Sequence, residues 1–216
     1  MKNRFLSVLL IVFFLLGSMN VVAADEFSYF DGYVTAAMSH LDTLYVTTGE
    51  GADITDEFIF IIQNYGLDQA HRFAIQSDCC IAYQEIVDSS DVMPYALSQS
   101  ASVTNYFYHL QKDTTGKFQK EWQTKLSGTY WYDIASDQIK SANSPILTLA
   151  YTNFGAAFSP YMDSVSTSYN INKSSNTVTF SGTYHMYATL GISIGDFPVG
   201  FTFDFSSHRD RFSASR

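Results

Sequence analysis

Basic residues are scarce in this chain, and so are cysteine, proline and charge in general. Its 216 residues include 12 Lys and Arg against 21 Asp and Glu, 2 Cys and 4 Pro, with 15% of residues charged. A net charge of −9 argues against nucleic acid as a partner, because phosphate backbones are gripped by a basic footprint. It also argues against simple electrostatic docking on anionic lipid. The only two cysteines, Cys79 and Cys80, are neighbours, so they cannot staple distant segments as disulfides in small secreted domains do. Long apolar runs are missing as well, with one exception at the start.

That exception runs from Phe5 to Leu16, apolar apart from Ser7, with Lys2 and Arg4 before it and Val22-Ala23-Ala24 after it. A short positive start, an apolar stretch and small residues together predict a secretory leader. The stretch is too short to span a bilayer, which takes about 20 residues. The expectation is a signal peptide over 1–24, cleaved after Ala24, and a secreted product. Losing Lys2 and Arg4, with no acid beside them, takes the net charge from −9 to −11.

Charge is unevenly placed along the remainder. Residues 25–95 hold 13 acids and a single base, Arg72, whereas residues 96–216 hold 8 acids and 9 bases. Such a step predicts two structural units. In the first, Phe27, Phe30, Val34, Ala37, Leu41 and Leu44 recur at helical spacing. A second helix is expected to begin at Thr55-Asp56-Glu57 and end near Gly66, and a third to span 68–87. On that third helix Cys79 and Cys80 fall on apolar faces and read as small core residues; a vicinal disulfide and a reactive or metal-binding thiol are the competing readings.

Beyond residue 95 the apolar period changes from 3.6 to 2. Tyr106, Tyr108 and Leu110 alternate with Asn105, Phe107 and His109, and Asp113-Thr-Thr-Gly116 reads as a turn. Val178, Phe180, Gly182, Tyr184, Met186, Ala188, Leu190, Ile192 and Ile194 keep one phase, and Phe197 to Phe205 return in alternation after a turn at Gly195-Asp196. The predicted fold is α+β: an acidic helical unit of about three helices over 25–95, packed on a curved antiparallel meander of about six strands over 96–206. Residues 207–216 are polar and predict a flexible tail. Leu126-Ser-Gly-Thr-Tyr130 and Phe180-Ser-Gly-Thr-Tyr184 repeat one motif, and a Ser-Gly inside a long strand suggests a bend or bulge.

No constellation of residues announces a catalyst. Gly191-Ile-Ser193-Ile-Gly195 matches the G-x-S-x-G string, with Asp196, Asp204 and His208 downstream. That chemistry needs a strand-to-helix elbow, whereas Ser193 lies on an alternating strand followed by another strand. Asp53, Asp56 and Glu57 crowd a helix start without calcium-loop spacing. The histidines His40, His71, His109, His185 and His208 are scattered singly, so no metal or other cofactor is expected. Aromatics are plentiful, with 15 Tyr, 18 Phe and 2 Trp. Phe107, Trp131 and Tyr187 have the phase opposite to the predicted core and suggest an outward platform for a carbohydrate or a protein at the cell surface. The expectation is therefore a secreted, non-enzymatic binding protein acting outside the bacterial cell. The alternatives are a membrane-active hairpin over 178–205 and a secreted hydrolase with an unrecognised site.

Overall fold

Strands with alternating apolar residues need a second layer to bury one face, and the computed structural model supplies it by laying one antiparallel sheet on another. The structure describes residues 23–88, 98–194 and 197–216. Residues 1–22 of the leader expected over 1–24, residues 89–97 with Asp91 and Pro94, and the turn expected at Gly195-Asp196 lie outside the described residues. The chain divides into two compact units, residues 1–36 and 37–216. The described part of the first is the body of helix α1, Ala23–Met38. The fold is α+β, with helices on the N-terminal side followed by antiparallel strands. No helix among the described residues is long and apolar enough to cross a membrane.

The expected first helix stops sooner than its apolar spacing suggests, at Met38 rather than near Thr47. Turns follow it, His40 N donating to Ala37 O at 3.0 Å and Thr43 N to His40 O at 3.0 Å, and the Thr43 hydroxyl accepts from Gln84 N of the neighbouring strand segment at 3.2 Å. The short strand β1, Tyr45–Thr47, follows. Helices α2, Thr55–Tyr65, and α3, Leu67–Gln76, are separated by Gly66 at φ 82°.

The predicted third helix over 68–87 is corrected: α3 ends at Gln76, Asp78 takes φ 49°, and strand β2 covers Cys80–Asp88. Both faces of β2 are buried at its start. Ile81 and Tyr83 lie on one side, Ala82 and Gln84 on the other. A strand covered on both faces loses its alternation and mimics a helical spacing. The 25–95 segment thus contributes strands β1 and β2 as well as helices.

The first sheet has the order β1-β2-β3-β4-β5, where β3 is Ser98–Lys112, β4 Gln119–Asp133 and β5 Ile139–Ala142. Strand β6, Ile146–Asn153, pairs with the first half of β4 over Glu121–Ser127, and β5 pairs with its second half over Tyr130–Tyr132. The second sheet is β7-β8-β9, formed by Phe158–Asn172, Thr177–Ile194 and Phe197–Ser215. The expected single meander is therefore two sheets. Their shared core joins Trp122, Leu126 and Tyr130 of β4 to Val178, Phe180, Tyr184 and Met186 of β8 and Phe205 and Phe212 of β9. The alternating phase of β8 from Val178 to Ala188 is spent on this interface, while Phe201 of β9 is 51% exposed.

The two Ser-Gly motifs sit where the sheets cross. A Cβ on Gly128 would lie 2.5 Å from the Phe180 ring, and one on Gly182 would lie 3.0 Å from Leu147 and 3.3 Å from Leu126. Each motif's glycine thus accommodates the large first residue of the other motif. The β3–β4 register is unbroken through Gly128, and the β8 ladders are regular at Gly182. These glycines permit close approach of the sheets and are not the bulges the sequence suggested.

The opposite face of the first sheet is covered by the helical pair. His71 of α3 places Nε2 2.9 Å from Glu121 Oε1, and the Tyr108 hydroxyl donates to Glu121 Oε2 at 2.5 Å. Asp113 closes the β3–β4 turn by accepting from Lys117 N at 2.9 Å and Phe118 N at 3.0 Å. Residues 207–216, expected to be a loose tail, are strand paired to β8 as far as Ser215.

Candidate functional site

A buried polar cluster lies between the sheets, and two backbone features place it. The β2–β3 register sets Cys80 directly opposite His109. On β9, the ladder shifts between His185 and Tyr187, with Ser206 at φ 73°. This extra residue re-phases the strand, as bulges do when they re-aim side chains. Phe203 and Phe205 face inward before it; His208, Asp210, Phe212 and Ala214 take the inward phase after it.

His109 is the centre of the cluster, 3% exposed on β3. Its Nε2 lies 3.2 Å from Asp210 Oδ1 and 3.1 Å from the Tyr184 hydroxyl. Asp210, 2% exposed, accepts through Oδ2 from the Thr124 hydroxyl. The Tyr184 oxygen accepts from Trp122 Nε1 at 3.0 Å. Cys80 is the cross-strand neighbour of the same residue and lines the cavity with it. Trp122 holds the ring flat, stacked at 5.1 Å and 15°, and His208 meets it edge-on at 5.2 Å. Asp210, Tyr184, Trp122 and His208 therefore fix one imidazole in position and orientation.

The charge states follow from these surroundings. Burial alone would lower the pKa of His109, but the neighbouring Cys80 and the Asp210 carboxylate 3.2 Å away raise it to about 10. His208 goes the other way. Burial, aided by the positive His109, lowers it to about 4, against the Phe205 carbonyl to which its Nε2–H donates at 2.7 Å. Burial, then the nearby Asp210, holds the Tyr184 hydroxyl protonated well above its ordinary range. Burial, reinforced by Cys80, pushes the Cys79 thiol up to about 12. Of the two neighbouring thiols, Cys79 is buried and inert, while Cys80 is half-exposed and beside a charged imidazole.

The cluster opens to solvent. A cavity of about 570 Å³ is walled by β1, β2, β3 and the segment 205–211 of β9, with Cys80, His109, His208 and Asp210 in its lining. Lys112, Arg209 and Arg211 line it too, as do Tyr45 and Phe107. Lys112 pairs with Asp78 at 3.1 Å, and Arg209 and Arg211 are exposed on the phase of β9 opposite to His208 and Asp210.

The depressed pKa of His208 has a consequence for stability. A histidine that must stay neutral in the fold resists protonation that the unfolded chain accepts freely. Its contribution is therefore complete above the ordinary value of 6.5 and lost as pH falls from 6.5 to about 4. Urea unfolding is expected to show about 2–3 kcal/mol less stability at pH 4.5 than at pH 7. His208→Gln should remove most of that difference. Equal losses in the two proteins would rule out His208 as the cause.

The aromatic platform expected from phase is corrected. Phe107 is 5% exposed and belongs to the core cluster, facing the second sheet together with His109. Tyr108 and Leu110 are buried on the opposite side, so this half of β3 has no outward face. Trp131 is half-exposed on β4 of the first sheet, and Tyr187 is half-exposed on β8 of the second. Tyr187 stacks on Tyr161 at 5.6 Å and on His185 at 4.3 Å. The three rings share no surface. Ser193 of the G-x-S-x-G string lies in β8, paired to Pro198, with no elbow. Asp204 bonds His185 at 2.6 Å, away from that serine. Sequence reasoning missed Cys80, His109 and Asp210 as a group. The one signal that could have found them is the alternation of His208, Asp210, Phe212 and Ala214, which resumes one residue out of phase after Ser206-Ser207.

Compared with protein-family models, with curated proteins and with solved structures, the chain matches none of them.

Proposed function

We propose that this chain is a secreted binding protein acting outside the cell, and that its ligand site is the cavity walled by β1–β3 and β9. The observation that carries the reading is the cavity of about 570 Å³, bordered by the exposed Arg209 and Arg211 and by Lys112, which pairs with Asp78 at 3.1 Å. That volume lies within the range of small-molecule sites. Exposed Tyr45 beside these cations adds a flat ring of the kind that stacks on sugars. An acidic carbohydrate is the ligand class that uses both features, its carboxylate on the basic side chains and its ring face on the tyrosine. The expected leader and the cavity agree with that role, and the aromatic rings of the outer faces are not needed for it.

Titration of the chain with glucuronate, followed by NMR shifts at the cavity residues, is the direct test. Glucuronate is expected to bind more tightly than glucose, to weaken as salt rises, and to lose about tenfold in affinity in Arg211→Ala, the order expected for one charge-assisted hydrogen bond. Indifference of the cavity residues to both sugars would overturn the reading.

A further inference from the structure

We propose that Cys80, His109 and Asp210 form a nucleophilic centre that takes an acyl group from a carboxylic ester or thioester seated in the cavity. The proposal uses the cavity assigned above and rests on that reading for the seat of its substrate. The roles follow from position. Cys80 is half-exposed and lines the cavity. Its partner across the β2–β3 ladder is His109, which lines the same cavity. Behind the imidazole, Asp210 Oδ1 at 3.2 Å sets the ring's orientation, and Asp210 is itself anchored by Thr124. Nucleophile, proton carrier and orienting carboxylate in that order are the parts of an activated thiol. A structural role for the pair would be served equally by a fully enclosed cysteine, as Cys79 is. Instead the thiol facing the opening is the one given the imidazole.

The reaction balances with these groups and water. The Cys80 sulfur attacks the acyl carbon, a carbon–sulfur bond forms, and the bond to the leaving oxygen or sulfur breaks. The thiol proton of Cys80 leaves to solvent before the attack, and the charged His109 gives its own proton to the leaving group, which departs as an alcohol or a thiol and leaves an imidazole that water reprotonates. The product is an acyl thioester on Cys80, and no oxidant or reductant is involved. Asp210 does not take the proton; it keeps the imidazole in place and stabilises its charged form. His208, neutral beside it, adds no competing positive charge.

Two measurements on the full chain test this. The first is the rate of iodoacetamide labelling at Cys80 against pH, read by peptide mass. A thiol coupled to His109 and Asp210 is expected to keep reacting well below pH 7 and faster than a free thiol, whose rate falls away below its ordinary pKa of about 8.5. The second is p-nitrophenyl acetate, followed by nitrophenolate release and intact mass. One acetyl group per chain is expected, present in Cys79→Ala, absent in Cys80→Ala, and formed at least about tenfold more slowly in His109→Gln, within the usual contribution of a positioned acid or base. An ordinary thiol pH profile in the native chain, or acetylation indifferent to His109, would overturn the proposal. The native profile decides even where a variant fails to fold. Because p-nitrophenyl acetate carries no acidic sugar, its reaction reads the thiol alone, and glucuronate titration of Cys80→Ala reads the cavity alone.

Discussion

Gly128→Ala is expected to lose at least about 3 kcal/mol of stability, near the upper end for overpacked cores. A single methyl group does this because its site is occupied: the Cβ would stand 2.5 Å from the Phe180 ring, where no carbon can remain. Phe180 is wholly buried and meets Phe212 at 5.2 Å, so the ring cannot swing aside without displacing β9. Backbone conformation is not the obstacle, since Gly128 has no left-handed φ. Thermal melting should fall by about 6–12 °C for a chain of this size. Replacing the ring as well, in Gly128→Ala with Phe180→Leu, should recover part of the loss, and the double-mutant cycle should show a coupling of at least about 1 kcal/mol. Additive losses would mean that the two motifs do not meet. Gly182→Ala should cost less, because its Cβ meets flexible leucine termini at 3.0 Å and 3.3 Å.

Asp210→Ala is the second large effect, expected at about 3–5 kcal/mol, the range for removing one member of a buried ion pair. The change leaves the Thr124 hydroxyl without its acceptor and leaves a charged imidazole 3% exposed without its carboxylate. The two sheets are joined by polar bonds here, since Thr124 and His109 belong to the first and Asp210 to the second. Asp210→Asn, which keeps the shape and one acceptor, should lose clearly less. Chemical denaturation of the three proteins at pH 7 measures the series. The His109 pKa should also drop in both variants, observable by NMR titration of the imidazole. An Asp210→Ala protein as stable as the parent would show that the His109–Asp210 contact is not formed in solution.

These two positions show what could be read from residues alone. The α+β class followed from the change of apolar period near residue 95, because helices and half-buried strands must present apolar groups at 3.6 and 2. The β8–β9 hairpin and the Asp113 turn were legible for the same local reason. The third helix was not. Cys79 to Val87 fits a helical spacing only because the first turns of β2 are covered on both sides, and nothing local distinguishes that from an amphipathic helix. Phe107 was misplaced for the related reason that β3 is buried on both faces at its second half. The Ser-Gly repeat was visible as a motif, but its meaning lay in a partner 54 residues away in sequence, Gly128 to Gly182.

The candidate site was the least legible part. Cys80 was read as a core residue, His109 as one of five scattered histidines, and Asp210 as part of a loose tail. Cys80 does pack against the core, as its apolar neighbours suggest, but the register also sets it opposite His109, and it makes Asp210 part of a paired strand. What the sequence determined by itself is periodicity, and with it which segments are helix or strand where one face stays wet, along with the charge balance and the scarcity of cysteine. Only the tertiary structure decided which strands are covered twice, which glycines face a ring, and that one extra residue at Ser206 turns Asp210 and His208 inward to His109. The physical reason is that periodicity is a property of one chain segment, whereas burial on a second face, strand register and the meeting of distant polar groups exist only once two segments have paired.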